Sequence, residues 1–227
     1  MTKPAHSQKT DLNSNSNPNS DHAWKEFEIP FQTYPRGTEL FQQGSGAEEV
    51  FCIDSGVVKL LRLEDDGQEL IVDLRFARSL VGSAAVIMEE PHPVTAITLT
   101  PSCVRRIPAT VFRCLLQKDV ELSWRVHRMH SRKVYDDVNR IAHLGCLSAR
   151  QRIEYLFIQL FSALGLNQHQ KDITLPMLLR NREIAALVAV TPEYFSRVLR
   201  QMQKEQLIRI GKGHLIITDP ERLWRPA

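Results

Sequence analysis

Between residues 29 and 108 the apolar positions come in short runs, and turn-forming residues fill the gaps. Gly37, Gly44-Ser45-Gly46, Asp54-Ser55-Gly56, Asp65-Asp66-Gly67, Gly82, Pro91-His92-Pro93 and Pro101 punctuate the segment. Val57 to Leu63 and Glu69 to Leu74 fit strands, and Asp65-Asp66-Gly67 between them is a hairpin turn signal. Short strands at this regular spacing predict a sandwich or barrel of the jelly-roll type.

From 109 to 144 there is neither Pro nor Gly, and the period becomes helical. One stripe runs through Val120, Trp124, His127, Ser131, Val134, Val138 and Ile141 in alternating steps of 4 and 3. That is an a/d seam of roughly three heptads. A helix of about 30 residues spans about 45 Å, which is long for a small domain. Its stripe is also narrower than the apolar face of an ordinary core helix. Pairing with a second copy therefore fits better than burial against the same chain, with the core-helix alternative left open. His127 and Ser131 interrupt the seam and would tune its register or strength. Gly145 is expected to break the helix.

Ser148 then caps a helix over residues 150–164, with Ile153, Leu156, Phe157, Leu160 and Phe161 on one face. Gly165 ends it, a polar loop covers 166–172, and 173–176 reads as a short strand. Residues 181–204 predict two helices joined by a tight turn. Arg182 to Val188 makes the first. Thr191 then caps the second and Pro192 opens it, since a hydroxyl satisfies an orphan N–H and proline has none to orphan. The second helix, Pro192 to Lys204, buries Phe195, Val198, Leu199 and Met202. Its other side carries Glu193, Ser196, Arg197 and Arg200. Glu193, Ser196 and Arg197 share one face through i, i+3 and i+4 spacing. A guanidinium pairs bidentately with guanine, and a carboxylate accepts from cytosine, so this face suits base edges in a major groove. The plainer alternative is an exposed Glu193–Arg197 salt bridge. Leu207 to Ile210 and Leu215 to Ile217 then form a hairpin, and Lys212 at its tip suits phosphate.

Charge sharpens this picture. Residues 1–144 hold 17 Lys/Arg and 19 Asp/Glu, a net of −2, whereas 145–227 hold 12 and 7, a net of +5. A basic C-terminal part points to a polyanion. The first 22 residues are Asn- and Ser-rich, so they read as a disordered arm and not as a secretory signal. No apolar run is long enough to span a membrane. Cys52, Cys103, Cys114 and Cys146 lack C-x-x-C spacing, which excludes a compact zinc or iron–sulfur motif and fits reduced thiols in a cytoplasmic protein.

The order of β-roll, long helix and winged helix-turn-helix resembles the cyclic-AMP receptor protein / fumarate-nitrate regulator (CRP/FNR) superfamily of bacterial transcription factors. Tyr34-Pro35-Arg36-Gly37 leading to residues 50–59 carries the resemblance, together with helix 109–144 and the stretch 173–217. Within that stretch stand Ile184-Ala185, Thr191, Glu193, Ser196-Arg197 and the Gly211-Lys212 wing. Glu193-x-x-Ser196-Arg197 is similar to the fumarate-nitrate branch, which implies a palindrome related to TTGAT–N4–ATCAA. The DNA-contacting residues so implied are Thr191, Glu193, Ser196, Arg197, Arg200 and Lys212. Two positions depart from the family. Ala189 stands where the turn normally holds Gly, at the cost of some strain if the backbone needs φ > 0. Arg180 takes the place of the usual Thr cap.

The sensory pocket departs further. Cyclic-nucleotide binders carry a Gly-Glu pair and, about ten residues on, Arg-Ser. Here the matched positions are Gly82-Ser83 and Val94-Thr95, with no cation for a cyclic phosphate. The iron–sulfur branch carries an N-terminal cysteine cluster, and residues 1–51 hold no Cys. Neither cofactor is expected. Haem stays open through Pro91-His92-Pro93, although His92 reads more plainly as a turn histidine. Arg75, Arg78, Arg105 and Arg106 suit an acidic metabolite or, more plainly, a charged β-roll surface. An enzyme of the cupin type needs clustered His/Glu ligands on strands, and the β region holds only His92.

The sequence thus predicts an α+β regulator without enzymatic activity. A disordered arm (1–22) precedes a jelly-roll, cyclic-nucleotide-binding-like sensory domain (23–108). A dimerisation helix (109–144) and a winged helix-turn-helix DNA-binding domain (145–227) follow. The expected partners are double-stranded DNA, a second copy of the chain and, for an activator, RNA polymerase; no membrane is expected. The rival reading is a small-molecule-binding β-roll module whose C-terminal domain docks a protein.

Overall fold

The computed structural model describes residues 29–65, 67–166 and 172–223. The predicted N-terminal arm, Asp66 of the hairpin and most of the 166–172 loop lie outside these residues. Two four-stranded antiparallel sheets build the first half. One has the order β1 (Phe31–Tyr34), β8 (Ser102–Pro108), β3 (Glu49–Ser55), β6 (Leu80–Val81). The other has the order β2 (Glu39–Phe41), β7 (Thr95–Thr98), β4 (Val58–Leu63), β5 (Glu69–Arg75).

Alternation along β3 shows how sequence sets the layers, because successive side chains point to opposite faces. Phe51 and Ile53 enter the space between the two sheets with Val58, Leu60, Ala96 and Val104. Val50 and Cys52 point the other way, under a layer of helices. Each large apolar side chain so buried contributes about 1.5–3 kcal/mol. The turn from β3 to β4 admits only glycine. Gly56 has φ 98°, and a Cβ there would fall 2.3 Å from the Ser102 hydroxyl and 2.7 Å from its Cα.

The helical layer comprises α1 (Ser83–Met88), α2 (Ala109–Lys118) and α3 (Val120–Cys146), which bury Val86, Phe112, Leu115, Leu122 and Val126. Here the structure corrects the sequence reading, which has one helix over 109–144. The chain breaks at Asp119, which is extended at φ −108° and ψ 99°, and its carboxylate accepts the Leu122 N–H at 2.9 Å. A capping aspartate thus ends one helix and starts the next without Pro or Gly. Nor does Gly145 break α3, which runs on to Cys146. One glycine near a helix end costs only about 1 kcal/mol. Helix α1 is an addition, too short to show a helical period.

The outer face of the second sheet presents Val57, Leu61 and Ile71, which join the core of the C-terminal half. That half comprises α4 (Ala149–Ala163), β9 (Ile173–Pro176), α5 (Asn181–Leu187), α6 (Pro192–Lys204), β10 (Ile208–Gly211), β11 (His214–Ile217) and α7 (Pro220–Leu223). Its strands pair in the order β10-β11-β9. The architecture is the α+β one read from the sequence. No helix among the described residues is long and apolar enough to cross a membrane.

Candidate nucleic-acid interface

Helix α5, the turn after it and α6 form the helix-turn-helix. Arg180 occupies the N-cap of α5, and its guanidinium has no acceptor to offer. Glu183 compensates by accepting the Arg180 backbone N–H at 2.8 Å. At the turn, Ala189 has φ 53°, the left-handed conformation that glycine would adopt freely. For a residue with a Cβ that conformation costs roughly 1–2 kcal/mol. Thr191 then caps α6 by accepting the Tyr194 N–H at 3.2 Å, with Pro192 in the first turn.

Helix α6 is sharply two-sided. Phe195, Val198, Leu199 and Met202 are buried, while Thr191, Glu193, Arg197 and Arg200 are exposed. Ser196 is half-buried and donates its hydroxyl to the Pro192 carbonyl at 2.9 Å, so towards a partner the oxygen can act only as an acceptor. The Arg197 guanidinium sits 4.9 Å from the centre of the Tyr194 ring, which restrains it by a cation–π contact. Among the described residues no ion pair joins Glu193 to Arg197, so both remain available to a partner. Strands β10 and β11 pair antiparallel, and Lys212 stands exposed at the tip between them.

Two arginines that sequence reasoning passed over brace this module from α4. Arg150 donates to Glu205 at 2.9 Å and to Glu154 at 2.8 Å, and its guanidinium draws the Glu205 carboxyl down to about 2. Arg152 donates to the Val188, Leu147 and Ala189 carbonyls at 2.8, 3.0 and 3.1 Å. Only the i, i+4 spacing of Arg150 and Glu154 was legible beforehand; the other contacts join distant segments.

On α3 the stripe read as a seam faces outward. Val120, Trp124, Val134, Val138 and Ile141 are 81%, 61%, 63%, 59% and 69% exposed, and His127 and Ser131 are exposed with them. The Trp124 and His127 rings stack at 5.6 Å. A different face meets the roll, roughly 120° around the helix at 3.6 residues per turn. Leu122 and Val126 are buried on that face, Lys133 pairs with Asp73 at 3.0 Å, and Arg140 donates to the Val72 carbonyl. The stripe is therefore not a core face within this chain.

Of the pocket positions, Gly82 and Ser83 open α1, while Val94 precedes β7 and Thr95 begins it. Gly82 has φ 85°, and a Cβ there would lie 3.1 Å from the His92 ring and 3.2 Å from the Glu49 carbonyl. Ser83 is buried, with its hydroxyl 3.4 Å from His130 Nε2 of α3. Val94 is half-buried, and Thr95 accepts the Gln43 N–H at 3.0 Å. His92 lies in a loop, as expected of a turn residue, but its ring is buried and stacks on Phe41 at 3.8 Å. Burial lowers its pKa from the ordinary histidine value, by penalising the charged ring. Arg105 corrects another reading: it is buried, 4.1 Å over the Phe31 ring, and is not a surface charge. Arg106 does lie at the surface, paired with Glu49.

Comparison with known proteins agrees with this geometry. Residues 31–119 match the cyclic nucleotide-binding domain, and residues 151–225 match the Crp-like helix-turn-helix domain. Transcriptional activator protein Anr of Pseudomonas protegens is 30% identical over 191 residues, covering 83% of this chain and 76% of its own. The CRP-like cAMP-activated global transcriptional regulator of Mycobacterium tuberculosis is 25% identical over 194 residues, covering 86% of each. The solved structure of FixK2 from Bradyrhizobium japonicum has a TM-score of 0.74 at 18% identity, covering 85% of this chain and 94% of its own. With both family domains matched in order and a 30% identical relative along most of its length, the chain belongs to the CRP/FNR superfamily and is a transcription regulator with a helix-turn-helix DNA-binding domain.

Proposed function

We propose that two copies of this chain pair along α3 and recognise a palindromic DNA site, each placing α6 in a major groove. The two-sided character of α6 carries the reading: its apolar side is buried and its guanidinium and carboxylate side is open. In this reading Arg197 pairs with a guanine, Glu193 accepts from a cytosine, and Thr191, Ser196, Arg200 and Lys212 engage the backbone or neighbouring edges. The exposed stripe from Val120 to Ile141 is the dimer seam. Half-sites one helical turn apart follow from the two-fold pairing. The protein acts in the cytoplasm without enzymatic activity, and an activator would also touch RNA polymerase.

The effector is not a cyclic nucleotide. Anr and the mycobacterial regulator are both relatives, and only the latter is named for cyclic AMP. Ser83, Val94 and Thr95 stand at the matched positions and carry no positive charge. These residues do not fit a cyclic phosphate. An effector bound in the roll shifts the relative orientation of the two α6 helices, and affinity changes by population shift.

Fluorescence anisotropy on a duplex of the TTGAT–N4–ATCAA type, titrated with salt, tests the reading. Affinity should fall linearly on a log–log plot as salt releases counterions. Absence of DNA affinity would instead favour a C-terminal domain that docks protein.

A further inference from the structure

Arg152 spends its donors on backbone from three places. It reaches the carbonyl of Leu147, where α3 ends, and those of Val188 and Ala189, where α5 ends and the turn begins. Carbonyls at helix ends have no partner inside their own helix. A guanidinium is planar, with its donors in a fixed fork, so it sets the mutual placement of the groups it joins. One of these groups, Ala189, is held at φ 53°, against the preference of a residue with a Cβ.

We infer that Arg152 is a positioning residue for DNA recognition: it clamps the Val188–Ala189 turn to the end of α3 and so fixes the angle at which α6 leaves that turn. The inference rests on the reading of α6 as the recognition helix and of α3 as the pairing helix. A two-fold site demands that both copies of α6 enter their grooves together, so a tilt at the turn is felt in both half-sites. Binding to arbitrary DNA draws mainly on phosphate charge and tolerates the tilt. The signature of a positioning role is therefore a lost preference for the palindrome, not a lost affinity for DNA.

The test uses full-length protein carrying Arg152→Lys or Arg152→Met, each with and without Ala189→Gly. Affinities are measured on the palindromic duplex and on a scrambled duplex of equal length. Circular dichroism checks the fold. Arg152→Met should lose about tenfold or more on the palindrome, because nothing then holds the part-buried Leu147 and Val188 carbonyls and the exposed Ala189 carbonyl in one arrangement. Arg152→Lys keeps the charge but offers its three donors from a single nitrogen without the planar fork, so it should show a smaller loss of the same kind. It carries the test if the Met variant does not fold. Scrambled-duplex affinity and salt slope should stay at wild-type values, and Ala189→Gly should recover part of the loss.

Three results would overturn the inference. One is wild-type palindrome affinity in Arg152→Lys. Another is an equal loss on both duplexes with a salt slope lower by about one, the mark of a phosphate contact. The third is a loss that Ala189→Gly does not ease. Hydrogen exchange at the Ala189 and Val190 amides, followed without DNA, keeps this separate from the reading of α6. Faster exchange in Arg152→Lys supports the clamp even if wild type shows no preference for the palindrome, and unchanged exchange refutes it.

Discussion

Lys59 Nζ of β4 lies 3.1 Å from Glu183 Oε1 of α5, with both side chains mostly buried at 14% and 22% exposure. Burial pushes the Glu183 carboxyl up, but the Arg180 backbone N–H and Lys59 outweigh it and hold the carboxyl below its usual range. The pair joins the DNA-binding half to the sheet β2-β7-β4-β5, beside the apolar contact through Leu61 and Ile71. Lys59→Met, Glu183→Gln and the double variant should show a coupling of about 1–2 kcal/mol, between values for exposed and buried pairs. Urea unfolding of the four proteins measures it. Simple additivity would show that the halves are not held together through this pair.

Val134→Glu with Val138→Glu should convert the protein to monomers. Both side chains are more than half exposed in one chain and would face their own copies across a two-fold axis, where like charges repel. Sedimentation velocity reads the outcome. A double variant that stays dimeric would place the interface elsewhere.

Loss of the Arg197 guanidinium should relax one position of the DNA site. Arg197→Ala should cost about 1–3 kcal/mol per half-site and weaken the preference for guanine there. Selection from a random duplex library checks this. A wild-type consensus from the variant would remove Arg197 from base readout.

Cyclic AMP and cyclic GMP should not bind in the micromolar range. Ser83 and Thr95 offer only neutral hydrogen bonds, worth about 0.5–1.5 kcal/mol each, against several kcal/mol for burying an unpaired phosphate. Calorimetry decides. Micromolar binding with a matching rise in DNA affinity would reveal a cation reaching the phosphate from a neighbouring strand or turn; of Arg75, Arg78 and His92, the two arginines are the candidates, since His92 is buried and its pKa lowered.

Acid should undo the brace between Arg150 and Glu205. Arg150 and then Gln201 hydrogen-bond the carboxylate and hold its pKa at about 2, against an ordinary 4.5. A depressed carboxyl stabilises the fold fully above the unfolded value and progressively less as pH falls toward the folded one. The stability gap between wild type and Glu205→Gln should therefore be constant near neutrality, shrink below about 4.5 and close near 2. A gap that persists at the acid end would assign it to packing instead of charge.

Much of this arrangement was legible because its signals are local. Turn residues marked the strands, a step of 4 and 3 marked the exposed stripe of α3, and Thr191-Pro192 marked the start of α6. Ala189 was flagged only through the glycine that the resembled family carries at this turn, because an alanine gives no local sign of a positive φ. The break at Asp119 was not: aspartate is tolerated within helices, and only the geometry at Leu122 makes it a cap. Arg105 misled in the same way, because a charged residue gives no local sign of the ring it packs against; His92 was read rightly as a loop residue, but its stack on Phe41 had no local sign either. Arg152 and the Lys59–Glu183 pair depend on segments brought together by the whole fold, and no spacing rule reaches that far.

The sheet β2-β7-β4-β5 has no slack side. Leu60 and Ala96 face the interior of the roll, Leu61 and Ile71 face the DNA-binding half, and the edge strand β5 is tied to α3 through Asp73 and Val72. Close-packed protein compresses little, so volume added on one side of such a plate strains its neighbours on both. A methyl group gained at Leu60 therefore strains a sheet packed on both faces, and one lost leaves a cavity that its neighbours close only in part. The thickness of one β-sheet is thus all that separates the interior of the roll from the core of the DNA-binding half.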